Sequence, residues 1–251
     1  MLSQQRRQHI LALLKKEGQV VAKTLARELD LSEDTIRRDL RELAGEGLLQ
    51  RVHGGALPVS SATADFAARQ TIATQSKLAV ARAAAGMIQA GQIVILDGGT
   101  TSVQLARQLP STLAATVVTH SPSIAVELAQ HPRIDVVLIG GRLFKHSVVT
   151  VGTAALDALA HVRADTFYMG VTGVHPEAGL STGDLEEAYM KKALSERAAE
   201  TVVLASQEKL GVASAYMIMP AADMAGLVVE KTTPQHLLEP YQDLGVTVTQ
   251  A

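Results

Sequence analysis

The chain has 251 residues, of which 47% are apolar and 19% are charged, a balance typical of an ordered protein with one or two domains. It has no cysteine, which excludes disulfides, thiolate metal sites and cysteine nucleophiles and favours a cytoplasmic location. The net charge is −2, and no apolar run is long enough to predict a signal peptide or a membrane-spanning helix, so we expect no contact with membranes.

Residues 1–57 predict three helices followed by a short β wing. Apolar residues recur at helical spacing over residues 3–17 and 22–29, and Ser32 is a suitable N-cap for a third helix. A strand over residues 48–52 and a glycine turn complete the wing. Charge adds little to this prediction, since this part of the chain carries +2 and the remainder −4.

The predicted third helix has one apolar face and one basic face. Ile36, Leu40 and Leu43 recur at helical spacing and are expected to face the interior. The opposite face carries arginines, as a helix that enters the major groove of DNA requires. For the arginines taken alone, an ordinary solvated charged face is the alternative. The candidate DNA-contacting residues are Lys23, Ser32, Asp34, Thr35, Arg37, Arg38, Arg41, Arg51 and His53.

The rest of the chain alternates between apolar runs and helical stretches. Residues 58–75 are rich in Ser, Ala and Thr and predict a linker, and residues 76–251 predict a second domain. The predicted strands are Ile93–Leu96, Thr116–Val118, Val136–Ile139, Thr166–Met169, Val202–Leu204, Leu227–Val229 and Val246–Val248. Helices are expected between most of them, such as Thr101–Leu109, Ser123–Gln130 and Leu185–Glu200. This alternation predicts an α/β domain with a mainly parallel sheet covered on both faces.

Several loops expected at the carboxyl edge of that sheet have the composition of an anion-binding site. Residues 97–101 (Asp-Gly-Gly-Thr-Thr) follow a strand and open a helix, where glycines let a ligand approach and the helix N-terminus attracts an anion. Lys209 follows the fifth strand and can add a cation at the same edge. Glycines required only for packing and a surface lysine are the alternatives. The candidate ligand-binding residues are Asp97, Gly98, Gly99, Thr100, Thr101, His120, Gly140, Gly141, Gly173 and Lys209.

The sequence offers few other candidates for metal-binding or catalytic residues. The eight histidines are scattered and form no close His-x-x-x-His pair, so neither a metal site nor a cofactor is expected, and no catalytic residue is assigned. Glu186 and Glu187 precede Lys191 and Lys192 on one predicted helix, which most simply gives i,i+4 pairs on a solvated face. The alternative is that Glu187 or Lys191 borders the ligand pocket.

Three stretches resemble the DeoR family of bacterial transcriptional regulators: Arg6–Leu11, Ser32–Leu43 and Arg51–Ala56. The similarity continues over nearly the whole chain. It implies a winged helix-turn-helix in residues 1–57 and, in residues 76–251, an effector-sensing and oligomerisation domain with the fold of ribose-5-phosphate isomerase and CoA transferases.

The resemblance also implies a pocket for a phosphorylated sugar or related metabolite. In the family, an Asp-x-Gly-Thr-Thr loop and a Lys-x-Gly segment help to form it, and here they correspond to residues 97–101 and 209–211. The chain departs from the family at two positions, with His120 where Asn is common and Ala205 where Asp is common. Both departures bear on which ligand fits.

These features together predict a DNA-binding transcription regulator, a repressor of a carbohydrate or related metabolic operon. We expect it to bind double-stranded operator DNA as a homo-oligomer, a dimer or a tetramer, under the control of a phosphorylated sugar, and not to be an enzyme. One alternative is a sugar-phosphate isomerase that carries a DNA-binding domain, since fold does not decide function. Another is an architectural DNA-binding protein without an effector.

Overall fold

The computed structural model of the chain describes residues 2–17, 19–58 and 66–251. The described part of residues 2–58 contains α1 (Ser3–Glu17), β1 (Val20–Val21), α2 (Ala22–Glu28), α3 (Glu33–Gly45), β2 (Gln50–Val52) and β3 (Gly55–Leu57). Residues 66–251 contain α4 (Phe66–Arg69), α5 (Thr74–Met87), β4 (Ile93–Leu96), α6 (Thr100–Gln108), β5 (Ala115–Thr119), α7 (Pro122–Leu128), β6 (Ile134–Leu138), β7 (Arg142–Phe144), β8 (Val149–Val151), α8 (Thr153–Ala158), β9 (Ala164–Gly170), β10 (Gly173–His175), β11 (Gly179–Thr182), α9 (Leu185–Ser195), β12 (Ala198–Leu204), β13 (Tyr216–Met219), β14 (Gly226–Val229), α10 (Gln235–Gln242) and β15 (Thr247–Gln250).

The first three helices pack around one apolar core beside a small antiparallel sheet. Ile10 of α1, Leu25 of α2 and Ile36 of α3 are buried in this core. The sheet has the order β1-β3-β2, so the predicted wing pairs with a short strand that the sequence pattern did not indicate. A Cβ at Gly55 would lie 1.9 Å from the carbonyl oxygen of Val20, so only glycine fits where β3 pairs with β1.

The predicted linker, residues 58–75, is only partly described. Residues 59–65 lie outside the described ranges, so that part of the prediction has no structural counterpart. The remainder contains α4 and the first residues of α5, which begins at Thr74. The domain boundaries at residues 57 and 76 therefore stay predictions.

A parallel sheet organises the described residues from 66 onward, which confirms the predicted α/β class. Its strand order is β15-β14-β12-β9-β4-β5-β6, and all neighbouring pairs are parallel. The seven predicted strands are the seven strands of this sheet. Side chains alternate between its faces: Val94 and Leu96 pack with α5, α6 and α7, whereas Ile95 packs with the core of α8, α9 and α10. Helices therefore cover both faces.

The helix predicted over Leu185–Glu200 is too long. α9 ends at Ser195, where the N–H of Glu196 bonds back to the carbonyls of Leu194 and Lys192. Residues 198–200 instead pair with the start of β9, because they extend β12 along a buried neighbour.

Two antiparallel additions lie outside the parallel sheet. β7 and β8 form a hairpin, and β10, β11 and β13 form a separate sheet. No helix in the described ranges has both the length and the apolar composition needed to cross a bilayer.

Candidate functional site

The apolar face of α3 is anchored and its basic face is exposed. The Ser32 hydroxyl caps the helix by accepting the N–H of Thr35 at 3.2 Å. Ile36 and Leu40 are at most 2% exposed, so they fix how the helix lies on the core. Its opposite face is thereby presented to solvent, as recognition in a DNA groove requires.

The predicted DNA-contacting residues lie on α3 and its N-cap, on the wing and, in the case of Lys23, at the start of α2. Thr35 is half-buried, and the exposed ones are Lys23, Ser32, Asp34, Arg37, Arg38, Arg41, Arg51 and His53. Arg37 pairs with Glu33 at 2.7 Å, one turn earlier on the same helix. The side chains of Arg38 and Arg41 have no hydrogen bond or ion pair with any other residue that the structure describes, so their guanidinium groups are available to phosphates or bases.

Sequence reasoning missed a buried ion pair behind this face. Asp39 of α3 is 2% exposed, and its two carboxylate oxygens accept the guanidinium of Arg6 from α1, one of them at 3.0 Å. The hydrogen bond that Arg6 donates to Asp39 is the main cause of the raised pKa of Arg6. The signal was present in the sequence, because Asp39 follows Ile36 by three residues and so falls on the apolar stripe, where a carboxylate needs a partner.

A cavity of about 560 Å³, counting the space at its mouth, opens at the carboxyl ends of β4, β9 and β12. Its walls come from α4, α5, the start of α6, the β7–β8 loop, the residues after β9, α9 and the short helical turn after β12. The lining residues are Arg69, Ile72, Lys77, Gly98, Gly99, Thr100, Thr101, Ser102, Ser147, Gly170, Val171, Thr172, Glu187, Lys191, Glu208 and Lys209.

Asp97 lies fully buried beneath the cavity floor and holds its loops together. One carboxylate oxygen accepts the N–H of Gly98 at 2.8 Å and Nε2 of His120 at 2.9 Å. The other accepts the N–H of Gly170 at 2.8 Å and the ammonium of Lys191. Burial opposes the charge, but Lys191 and His120 outweigh it and lower the pKa of Asp97 to about 2. Asp97 is therefore a permanent anion that positions the cavity walls.

The start of α6 forms one wall of the cavity. Gly99 is the N-cap with φ +107°, and a Cβ at Gly98 would lie 2.0 Å from Cγ1 of Val149. Both positions require glycine. Thr100 and Thr101 follow in the first turn, where backbone N–H groups have no acceptor within the helix. This arrangement favours an anionic ligand.

Lys209 brings a cation to the same cavity. It is 8% exposed, and its ammonium group has no hydrogen-bond or ion-pair partner among the described residues. Burial, together with the positive charges of Lys77, Arg69 and Lys191, lowers its pKa to about 8, although Glu208 opposes the shift. A buried cation without a partner is stabilised by an anion placed beside it.

Not all the predicted ligand-binding residues meet in the cavity. Gly98, Gly99, Thr100, Thr101 and Lys209 line it, and Asp97 and His120 lie beneath it. Gly140 and Gly141 follow β6 at the far edge of the sheet, with β5 between them and β4. Gly173 packs in the β10–β11 pair, where a Cβ would lie 2.5 Å from the carbonyl oxygen of Val212. We therefore leave these three glycines out of the candidate site.

The two positions that depart from the family pattern are buried. Nε2 of His120 contacts Asp97, and Nδ1 contacts the carbonyl oxygen of Thr150 at 2.9 Å. Both partners are acceptors, so both ring nitrogens donate only when the imidazole carries two protons. Ala205 is fully buried in the core on the α9 side of the sheet. Neither residue lines the cavity.

The expectation that Glu187 and Lys191 lie on a solvated face is wrong, and the alternative is confirmed. Both are buried, their charged groups are 3.7 Å apart, and both line the cavity. Glu186 does lie at the surface, where it pairs with Arg142 of β7.

Sequence reasoning also missed cavity residues in the predicted linker and just beyond it. Arg69 and Lys77 line the cavity together with Ser147 and Glu208. Only their composition, two cations near an anion-binding loop, could have drawn attention to them. The described ranges contain no group of three or more His, Asp or Glu side chains placed to hold a metal ion.

Comparison with protein families gives two matches that together span most of the chain. Residues 6–62 match a DeoR-like helix-turn-helix domain, and residues 72–231 match the DeoR C-terminal sensor domain.

Individual proteins show the same likeness. The HTH-type transcriptional regulator GlpR of Haloferax volcanii is 32% identical over 250 residues, covering 99% of this chain and 98% of that protein. The glycerol-3-phosphate regulon repressor of Escherichia coli is 32% identical over 208 residues, 82% of each chain. Among solved structures, ribose 5-phosphate isomerase A of Methanocaldococcus jannaschii is 21% identical with a TM-score of 0.37, over 51% of this chain and 50% of that one. That structural likeness is too weak to carry a conclusion.

Proposed function

The chain belongs to the DeoR family of transcriptional regulators, and we propose that it represses a carbohydrate or related metabolic operon in the cytoplasm under the control of a phosphorylated sugar. In this proposal residues 1–57 bind operator DNA and the cavity at the carboxyl edge of the parallel sheet binds the effector.

The exposed face of α3 supports DNA recognition. Ser32 and Thr35 lie in its first turn, and Arg38 and Arg41 continue the same helix toward its end. The first turn is the part of a recognition helix that comes closest to base edges, and arginines bind guanine or phosphate. Two copies of the chain in a homo-oligomer place two such helices on a partly symmetric operator.

The observation that carries the effector proposal is the partnerless, buried Lys209 in a cavity walled by the start of α6. A cation and free helix N–H groups facing one space are complementary to a phosphate group.

The state of Asp97 favours binding over isomerase chemistry. Proton abstraction needs a carboxylate that reaches the substrate with a pKa near the working pH. Asp97 is buried below the cavity, both of its oxygens already accept two donors, and its pKa is lowered to about 2. It is therefore a poor general base. Turnover of pentose or hexose phosphates by the purified protein would nevertheless support the isomerase alternative.

Footprinting of bound genomic sites, followed by gel-shift titration on one bound fragment, tests the DNA-binding half of the proposal. Replacing Arg37 and Arg38 together with Ala should weaken binding. The log–log salt slope should flatten by roughly one unit per lost phosphate contact, because each contact releases counterions. Replacing the exposed Arg82 and Arg133 of the second domain together with Ala removes the same charge and should change neither quantity.

Unchanged operator affinity in the Arg37/Arg38 double variant would contradict this assignment. The effector half is tested by a thermal-shift screen of phosphorylated sugars on the full-length protein. We expect at least one to raise the unfolding temperature, because a ligand that binds only the folded state stabilises it. If none does, the protein is better described as an architectural DNA-binding protein.

A further inference from the structure

Residues 66–77, which we call the connecting segment, run from the stretch between the two matched domains into the start of the sensor domain and supply part of the cavity wall. Arg69, the last residue of α4, and Ile72 line the cavity together with Lys77 of α5. The helix-turn-helix match ends at residue 62 and the sensor match begins at residue 72, so Arg69 belongs to neither. The ligand cavity and the connection between the domains thus share residues.

The loop between β7 and β8 holds this segment in place. The carbonyl oxygen of His146 accepts the N–H of Phe66 at 3.0 Å and the guanidinium of Arg69 at 3.3 Å. The hydroxyl of Ser147 accepts the same guanidinium at 3.3 Å, and Ser147 itself lines the cavity. The next residue, Val148, has φ +53°, a strained conformation for a β-branched side chain. The anchor of the segment therefore lies next to a strained residue.

Polar contacts rather than apolar burial hold α4. None of its residues is buried, and Phe66 is only half-buried against the core on the α5 side of the sheet. Its last carbonyl, that of Arg69, accepts the ammonium of Lys77. Segments with few buried apolar contacts open locally at a small cost in free energy. The docking of α4 is therefore sensitive to the charges around it.

The cavity brings cations together in excess over the carboxylates that line it. The cations are Arg69, Lys77, Lys191 and Lys209, and the carboxylates are Glu187 and Glu208 in the walls and Asp97 beneath the floor, which pairs with Lys191. Lys77 and Lys209 are at most 8% exposed, and burial is the main cause of a lowered pKa for each. Arg69 lowers both further. An anion in the cavity relieves this repulsion and attracts the cations of the connecting segment.

We propose that Arg69 and Lys77 bind the phosphate group of the ligand, so that an occupied cavity fastens the connecting segment 66–77 and an unoccupied one releases it. This inference rests on the proposed anion-binding function of the same cavity. In this proposal, occupancy of the cavity changes how the connecting segment docks. Because the segment leads to the DNA-binding domain, ligand binding in the cavity is coupled to that domain.

Hydrogen exchange and calorimetry on the full-length protein test the inference, with inorganic phosphate and glycerol 3-phosphate as probes. A saturating probe should slow amide exchange in residues 66–77 as well as at the start of α6. Arg69→Gln should weaken probe binding about tenfold, the order expected for one lost charge-assisted hydrogen bond. Arg69→Lys keeps the charge and should restore most of the affinity. Arg82→Gln, on the exposed side of α5, is the matched control and should bind like the unaltered protein.

The outcomes separate this inference from the function on which it rests. Slowed exchange at residues 98–102 without slowing at residues 66–77, or full probe affinity in Arg69→Gln, would overturn the inference and leave the anion cavity standing. No binding of either probe would overturn the anion cavity and the inference together. Weak binding in both Arg69→Gln and Arg69→Lys would show that the arginine supports the fold instead of binding the anion, and would also overturn the inference.

Discussion

Asp97 shows how one buried carboxylate shapes a ligand site that it does not itself line. It ties the loop after β4 to Gly170 at the end of β9, to His120 after β5 and to Lys191 of α9. All four elements border or support the cavity, so its shape depends on a single charged residue. Buried ion pairs of this kind are costly to break, because the remaining partner keeps its charge without compensation.

Replacing Asp97 with Asn should therefore reduce the free energy of unfolding by about 3 kcal/mol. An amide offers one acceptor oxygen where the carboxylate offers two, and Lys191 is left with one carboxylate, that of Glu187 at 3.7 Å, beside the carbonyl oxygen of Gly170 at 3.0 Å. Urea unfolding at neutral pH measures this loss. Asp135→Asn, at an exposed position of β6, is the control and should change stability by less than about 0.5 kcal/mol.

The difference in stability between the unaltered protein and Asp97→Asn should depend on pH. The pKa of Asp97 is lowered from 3.8 to about 2, so the charged form is favoured by folding. Its contribution is complete above the ordinary value and is lost as the pH falls toward 2. The stability difference between the unaltered protein and Asp97→Asn should shrink over that range, and a difference that stays constant would contradict the role given to the charge.

Lys209 should give ligand binding a pH dependence of the opposite direction, with affinity lost as the pH rises. Its pKa is lowered to about 8, so its ammonium loses the proton as the pH rises through that value. The affinity for sulfate, whose own charge is constant near neutral pH, should fall as the pH is raised from about 7 to about 9.5. Calorimetric titration measures it. Lys209→Arg should bind sulfate with an affinity that depends less on pH, because arginine stays charged.

Among the secondary-structure elements, α1 and α3 depend on each other through one ion pair. Arg6 and Asp39 are both buried, and the pair joins the two helices behind the proposed DNA-reading face. The orientation of α3 therefore rests on an acidic residue that does not face the DNA-reading side.

Asp39→Asn should weaken operator binding even though it removes a negative charge from a DNA-binding domain. The unpaired guanidinium of Arg6 is expected to cost the domain about 3 to 5 kcal/mol, so less of it is folded and able to bind. Glu28→Gln, at an exposed position of α2, removes the same charge and is the control. Gel shifts and thermal unfolding give the two readouts, and tighter operator binding by Asp39→Asn would show that charge outweighs the packing of α3.

The whole molecule contains separate apolar cores. One cluster lies within residues 10–56, and two others cover opposite faces of the parallel sheet. The cavity lies at the edge of that sheet, where strands end and loops from different parts of the chain meet. Because the cores are separate, we expect Asp39→Asn to leave sulfate binding unchanged in a calorimetric titration.

Some elements were predictable because their patterns are local. Strands buried on both faces form continuous apolar runs, so the strands of the parallel sheet were recognised. The short antiparallel strands were not, because β10 and β11 begin with glycine and β7 begins with Arg142. Arg69 and Lys77 were missed for a different reason: a cation in a polar segment gives no sign of what it faces.

The sequence by itself determined the order along the chain of the seven strands of the parallel sheet, the basic face of α3 and the resemblance to the DeoR family, because periodicity, capping and motif are properties of neighbouring residues. Only the tertiary structure decided which carboxyl-edge loops meet. Chain order does not specify strand order, and the arrangement β12-β9-β4 in the centre of the sheet brings Lys209 to the loop after Asp97 while placing Gly140 and Gly141 at the far edge. The tertiary structure also decided that Glu187 and Lys191 are buried, because the sheet beneath α9 determines which face of that helix is covered.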